Sequence, residues 1–540
     1  MLDIARSIRR SYVPAMRVWV LIALVLVPAS ALAAPAPTSA RINALAAQLA
    51  KHERGAEDAF WAQIAKDDGP IVEPVDADNL LVTFVWRGDA KTQRVAMFGP
   101  FRTVKGVLAR LPGSNVFYVT LELPATTVFT YNYFIDGEID DTNSIPHIDP
   151  FNHRIFTPSV SWFALPKVPS QPSIVLHRGT QAGALTLHTL AKRKIYVYTP
   201  PGYNPKGPAY PLLIAFDGDT AITFMPMPEI LDELVASKQI PPVVAVLVGN
   251  TDRLVDLNSD AFTDMVALDL VPWMRTTYHA TADPRRTVIT GVSLGGLASA
   301  MTALHHPEVI GNVLSQSGSF WRAPDGDEPE ATARWLAKQP HLPVRFWMEV
   351  GLFEGGPPDQ PTSMLAANRH LRDVLVARGN EVTYSEFAGD HTYLHWRGAI
   401  ADGLISLFAT PSKNVAPPAK PAKRAPLAMS AGTPTPISQL ARVVCVDGGD
   451  AAIVAAKKLD ATEDDVDIAA FAAVYLEHER DALRLLRWNV ERFPKSPNAW
   501  DSYAWIQYMT GDRRGAKASF QKKLELAPDD LIAKRMLAVL

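Results

Sequence analysis

The sequence predicts an α/β chain built on a largely parallel sheet, with a β-rich domain before it and an all-helical tail after it. Three observations carry this. Short apolar runs alternate with helical stretches between about residues 183 and 407. A serine flanked by glycines stands where one such run gives way to a helix. On either side the texture changes, to dense β-branched and aromatic residues upstream and to unbroken helical patterning downstream. Alternating strand and helix sets parallel strands side by side with helices on both faces.

The chain has 540 residues, 48% of them hydrophobic, which is enough for a large core and too long for one domain. Its formal net charge of -3 offers no basic surface for a nucleic acid. Cys445 is the only cysteine, so disulfides within the chain and multi-cysteine metal sites are excluded. It is either a small buried hydrophobe or a free thiol. At the N-terminus Arg6, Arg9, Arg10 and Arg17 precede an apolar run from 18 to 27, and Ala31 and Ala33 form an A-x-A site before Ala34. This is the layout of a secretory signal peptide over residues 1–33. An uncleaved anchor is the alternative, but a span needs about 20 apolar residues. The expectation is a periplasmic or secreted protein with no membrane attachment after cleavage.

Residues 34–74 read as a helical segment, with Leu45, Leu49, Phe60 and Ile64 near one stripe of a helix over 39–65. LLVTFVWRG, NVFYVTLEL and TTVFTYNYFIDG then read as strands of a small β-sandwich over 75–165. The segment DPFNHRIFTPS is irregular. Over 166–410 the runs KIYVYTP, PLLIAFDG, PVVAVLVGN, RTVITG, VRFWMEVG and EVTYSEFAG are separated by helical stretches such as 265–276 and 294–305. Repeated Pro, Ala and Lys make 411–436 a linker, after which 437–540 is expected to fold independently of the active site. Its last part looks like one tetratricopeptide repeat, with Trp500, Tyr503, Ala504 and Tyr508 on a first helix, Gly511 at the turn, Ala516 and Phe520 on a second, and Pro528 after it. One repeat cannot bury its own face, so the helices over 468–493 are expected to serve as a degenerate neighbour. A protein partner for this tail is expected as well.

The chemistry centres on GVSLGG at 291–296, between the strand RTVIT and a helix. G-x-S-x-G in that setting places Ser293 on the sharp strand-to-helix turn of an α/β-hydrolase, exposed above the sheet. The amide of Leu294 then faces the developing oxyanion. A serine hydroxyl needs a base, and in this fold the order is serine, acid, histidine. FAGDHTYLHWRG follows the last strand and offers His391, with His395 as the alternative. The acid belongs after VRFWMEVG, where Glu354 is the candidate and Glu349 and Asp359 are alternatives; its role is to fix the imidazole tautomer. The second oxyanion donor is expected from the amides of Gly218 and Asp219 in FDGDTA. Asp217 and Asp219 raise the question of a metal, but no histidine or further carboxylate clusters near them, and neither metal nor cofactor is expected.

These residues also carry a resemblance. LLIAFDG, DPRRTVITGVSLGG, VLSQSGSFWR and GDHTYLHWRGAIADGL, within about 75–410, resemble the enterochelin (ferric enterobactin) esterases of the esterase D-like group. The resemblance implies Ser293 as nucleophile, His391 as base and Glu354 as acid. VTFVWRG and DPFN look like the immunoglobulin-like domain that precedes the hydrolase in that family. The export signal and the helical tail are departures from it. FTYNYFIDG…DPFN is also similar to starch-binding-like modules ahead of feruloyl esterases.

The expected activity is hydrolysis of a small-molecule ester, a ferric catecholate siderophore by resemblance. The alternatives are a feruloyl or acetylxylan-type carbohydrate esterase and a catalytically inactive scaffold that binds through its tail. A bulky aromatic anion calls for aromatic faces and cations. Arg253, in the loop after PVVAVLVG, is the first candidate for such contact. Trp321, in SGSFWR beside Phe320 and Arg322, is the second, and Trp396, beside Arg397, the third.

Overall fold

The computed structural model describes residues 38–99, 106–137, 146–157, 159–322, 328–356, 362–409 and 427–540. The signal peptide expected over 1–33, Asp359 and most of the expected linker lie outside the described residues.

The N-terminal stretch forms two helices, Ala40–Ala50 and Ala56–Asp67, where one was expected. The break falls at Gly55, whose φ of 78° suits glycine and ends a continuous helix. Ser39 caps the first helix through the amide of Ile42. Ile42, Leu45, Phe60, Trp61 and Ile64 pack on Val85 and Val116 of the β-rich region.

That region consists of two antiparallel sheets. Asn79–Arg87 and Val116–Pro124 form the centre of one, flanked by Ile71–Pro74 and Ala109–Arg110. Val128–Ile135 is the centre of the other, between Val95–Phe98 and Val160–Ala164. Val82, Phe84 and Phe117 from the first meet Phe129, Tyr131 and Tyr133 from the second in one apolar core. The irregular DPFN segment has a specific role here. The Tyr131 hydroxyl donates to buried Asp149 at 2.8 Å, and Asn152 donates to the same hydroxyl at 2.9 Å.

A nine-stranded sheet forms the centre of the molecule. Its strands run in the order Val382–Phe387, Arg345–Gly351, Asn312–Gln316, Thr287–Val292, Leu212–Phe216, Val244–Val248, Arg193–Thr199, Ala184–Leu190 and Thr433–Thr435. The first six are parallel and the last three antiparallel. Most parallel strands are buried along their whole length, as strands covered on both faces must be. The helix expected over 265–276 departs from regularity: Asp260–Met265 and Val271–Thr277 are joined by a π turn over Val266–Leu270, ahead of Pro272.

Seven helices, Ile437–Asp447 to Leu531–Val539, complete the described chain. Their independence from the hydrolase region is not what the structure shows. Leu440, Val444, Val466, Ala470 and Leu485 belong to the same buried cluster as Leu231, Leu247, Trp396 and Leu404. Thr433–Thr435, at the end of the expected linker, is an edge strand on Ala184–Leu190. Arg442 reaches from the tail to buried Glu233 at 2.8 Å, and Arg397 reaches back to Glu477 at 2.8 Å. A linker-like composition upstream did not reveal these contacts, because they depend on a shared apolar face, not on local sequence.

Candidate active site

The strand Thr287–Val292 ends at Ser293, which has φ 57° and ψ -120° and caps the helix Leu294–His305. A non-glycine residue in that region carries strain, which cores tolerate where function fixes the turn. The flanking glycines are required by space. A Cβ on Gly291 would lie 2.5 Å from the carbonyl carbon of Gly295, and one on Gly296 would lie 2.6 Å from Ser315 Oγ. Ser293 Oγ lies 3.3 Å from Ser319 Oγ, and the Ser319 amide donates to the Ser293 carbonyl at 2.9 Å.

The neighbouring strand Leu212–Phe216 ends in the same manner. Asp217 takes φ 57° and starts the short helix Gly218–Thr223. A Cβ on Gly218 would lie 2.9 Å from both the Gly249 amide nitrogen and the Leu247 oxygen, so only glycine fits. The two turns touch, since a Cβ on Gly295 would meet Asp217 Oδ2 at 3.3 Å. First-turn amides have no acceptor within their own helix. Among the described residues the amides of Gly218 and Leu294 have no other acceptor either. The Asp219 side chain is engaged elsewhere, accepting from the Tyr196 hydroxyl at 2.9 Å.

His391 and Glu354 come together. His391 Nδ1 lies 2.5 Å from Glu354 Oε2, which leaves Nε2 for another partner. Glu354 is 5% exposed, and its second oxygen accepts from Ser317 Oγ at 2.5 Å and the Gly351 amide at 2.8 Å. Ser317 in turn accepts from the Trp396 indole at 3.2 Å, and the Trp396 ring stands edge-on to His391 at 4.7 Å. A buried carboxylate held by three donors is fixed in place. Among the described residues no hydrogen bond joins Ser293 to His391. Catalytic hydrogen bonds are often long before substrate is bound.

The other histidine and its carboxylate form a separate pair. His395 Nε2 lies 3.1 Å from Glu349 Oε2, and the ring stacks on Phe387 at 3.6 Å. The β-rich region supports the histidine loop. Thr130 donates to Asp390 from its amide at 3.2 Å and its hydroxyl at 2.7 Å, and the Val128 amide donates to the Ala388 carbonyl at 3.1 Å. Burial pushes the Asp390 carboxyl up to about 6.

The expected substrate residues fare differently. Arg253 lies beside the nucleophile turn, but its Nε and Nη2 are both held by Asp217 at 2.8 Å. Asn250 also donates to Asp217, at 2.6 Å. Arg253 is thus first a partner of the carboxylate that begins the Gly218 helix. Trp321 is 41% exposed, with Arg322 5.8 Å from its ring. Trp396 is 1% exposed, so a substrate contact for it is corrected: it is a core residue that braces His391 and Ser317. Arg397, beside it, is buried against Glu477 and the Tyr475 carbonyl.

Sequence reasoning missed an aromatic cluster beside the histidine. Phe224 stacks on Tyr475 at 4.3 Å, and packs against Tyr393 at 5.0 Å and Phe156 at 6.1 Å. These four come from the hydrolase region, the β-rich region and the tail. No local signal in the sequence connects Tyr475 with residues some 80 to 320 positions away. Among the described residues no group of histidine, cysteine and carboxylate side chains suits a metal ion.

The strained serine, the paired histidine and glutamate, and the free amides define a serine carboxylic ester hydrolase. Residues 188–407 match the family described as Putative esterase. An iron(III) enterobactin esterase of Dickeya dadantii is 27% identical over 426 residues, 68% of this chain and 96% of that one. An iron(III) salmochelin esterase of Escherichia coli O6:H1 is 26% identical over 64% of this chain and 92% of its own length. A crystal structure of the enterobactin esterase from Shigella flexneri, in the presence of 2,3-dihydroxy-N-benzoyl-serine, superposes with a TM-score of 0.51 at 25% identity, covering 65% of this chain and 98% of that one. Over this region the chain is similar to the enterobactin esterases.

Proposed function

We propose that this chain is an exported serine esterase that cleaves the ester bonds of a catecholate siderophore through Ser293, His391 and Glu354. The observation that carries the mechanism is the 2.5 Å contact between His391 Nδ1 and Glu354 Oε2, alongside a serine on a strained turn. In this reading Ser293 Oγ attacks the ester carbonyl and His391 Nε2 takes its proton. Glu354 holds the tautomer that leaves Nε2 free and stabilises the imidazolium. The amides of Leu294 and Gly218, with that of Asp219, receive the oxyanion. His391 then protonates the departing alkoxide, and a water repeats the sequence to release the acid.

The substrate class rests on the relatives, which are enterobactin and salmochelin esterases over about two thirds of this chain. The Arg253 edge not held by Asp217, together with exposed Trp321, suits a large aromatic anion. We read the paired sheets as an immunoglobulin-like sandwich and the terminal helices as tetratricopeptide-like. Among the described residues no helix is long and apolar enough to cross a membrane. Export rests on the charged start, apolar run and A-x-A site at residues 1–33.

The test is hydrolysis of ferric enterobactin by the full-length protein and by Ser293→Ala, with product acids followed by chromatography. Turnover by the wild type and its loss in the variant are expected. An enzyme that cleaves feruloylated or acetylated sugars and leaves catecholate lactones intact would refute the substrate class and keep the serine-esterase mechanism.

A further inference from the structure

A second pocket lies away from Ser293, where the β-rich region meets the last helices. Its cavity volume is about 330 Å³, the lower range of small-molecule sites. Trp86 and His147 line it from the strands, and Trp505, Tyr508, Arg513 and Arg535 from the helices. Its floor is firm. Ile148 packs with Tyr508, Phe520 and Met536 in one buried cluster, and Trp505 stands edge-on to Phe520 at 5.0 Å. Trp86 is braced by Tyr133 at 5.2 Å and by His147 at 5.9 Å. Burial holds the His147 imidazole below its ordinary range, so it faces the pocket neutral.

The polar groups around this apolar space are unpaired. Among the described residues, neither Arg513 nor Arg535 makes a side-chain hydrogen bond or ion pair. Lys523, by contrast, is held by Asp501 at 2.7 Å and Asp530 at 2.8 Å. The Trp86 indole N–H and the Tyr508 hydroxyl also have no partner among the described residues, although Tyr508 is only 5% exposed. Flat apolar walls take a ring, and two unpaired guanidinium groups at the rim take a carboxylate. A neutral ring would leave the arginines unused, and an inorganic anion would leave the aromatic walls wet.

We propose that this pocket is a binding site for an aromatic carboxylate, its ring between Trp86 and Trp505 and its charge on Arg513 and Arg535. The assignment does not rest on the identity of the ester cleaved at Ser293. Hydrolysis of a catecholate lactone, like that of an aromatic acyl ester, releases an acid that carries an aromatic ring, so the site is suited to hold such a product apart from the nucleophile.

The probe is 2,3-dihydroxybenzoate, titrated into the full-length protein by calorimetry, with 2,3-dihydroxybenzyl alcohol as the uncharged analogue. Saturable binding of the acid is expected, weakened at least about tenfold both for the alcohol and for the Arg513→Gln/Arg535→Gln double variant. Both arginines are exposed and unpaired, so the double variant should unfold at the wild-type temperature and hydrolyse a small ester at the wild-type rate. Equal binding of acid and alcohol would overturn the proposal. So would unchanged binding by the double variant, which would put the acid elsewhere, or no saturable binding in the millimolar range.

Discussion

At the scale of single residues, two histidines four positions apart have different partners. His391 pairs with Glu354 beside the serine turn, whereas His395 stacks on Phe387 and pairs with Glu349. His391→Ala is expected to lower kcat by roughly a thousandfold or more, and His395→Ala by less than about tenfold with a loss of about 1–3 kcal/mol in stability. Steady-state kinetics on a small acetate ester would rank them, and the reverse order would remove His391 as base. Arg253 shows how a neighbour alters a residue's meaning. Read from sequence, it faces a charged substrate, so its loss should spare uncharged esters. In the structure it holds Asp217, which is 7% exposed and starts the Gly218 helix. Arg253→Ala leaves that carboxylate with Asn250 as its one side-chain donor among the described residues, so kcat on an uncharged acetate ester is also expected to fall, by roughly tenfold. An uncharged ester turned over at the wild-type rate would restore substrate contact as the whole role of Arg253.

At the scale of elements, the terminal helices are part of the catalytic region. Glu463–Tyr475 packs on Gly218–Thr223, and Tyr475 completes the aromatic cluster with Phe224 and Tyr393. A chain ending at Ser412 would expose Leu231, Leu247 and Leu404, and would strip Glu233 of Arg442. It is expected to be insoluble or to lose its esterase activity, measured on a small ester after purification. A soluble truncation with full turnover would show that the helices are dispensable. This element also marks what was legible in the sequence. The strand–serine–helix turn and the pairing of Glu354 with His391 could be read because this kind of fold ties such features to fixed places along the chain. The strands of the central sheet could be read because full burial writes continuous apolar runs. Docking of the tail could not, because Leu440 and Val466 look the same whether they face another tail helix or the hydrolase. The edge strand Thr433–Thr435 was hidden by the proline and alanine around it.

At the scale of the whole molecule, five buried carboxyls spread over the three regions are shifted upwards. Burial raises Glu229 to about 8, Asp467 to about 7, and Asp149, Asp232 and Asp390 to about 6. Each binds its proton more tightly in the folded chain than in the unfolded one, where the value is about 4. Their stabilising contribution is therefore complete below about pH 4 and is lost as pH rises through 6 to 8. Asp256 runs the other way. Against its desolvation, hydrogen bonds from Arg193 hold it at about 2, so its contribution is present above about pH 4 and lost only as pH falls through 2. The two windows do not overlap, which leaves the fold most stable in mild acid. The melting temperature is expected to be higher at pH 6 than at pH 8.5, by at least about 2 °C. Glu229→Gln should flatten the part of the slope between pH 7 and 8.5, because Glu229 is the group raised furthest and its buried Oε2 has no partner among the described residues. Thermal unfolding followed by circular dichroism across that range decides it. A melting temperature that climbs towards pH 8.5, or a Glu229→Gln slope equal to that of the wild type, would mean that these carboxyls are ionised and compensated in the folded protein.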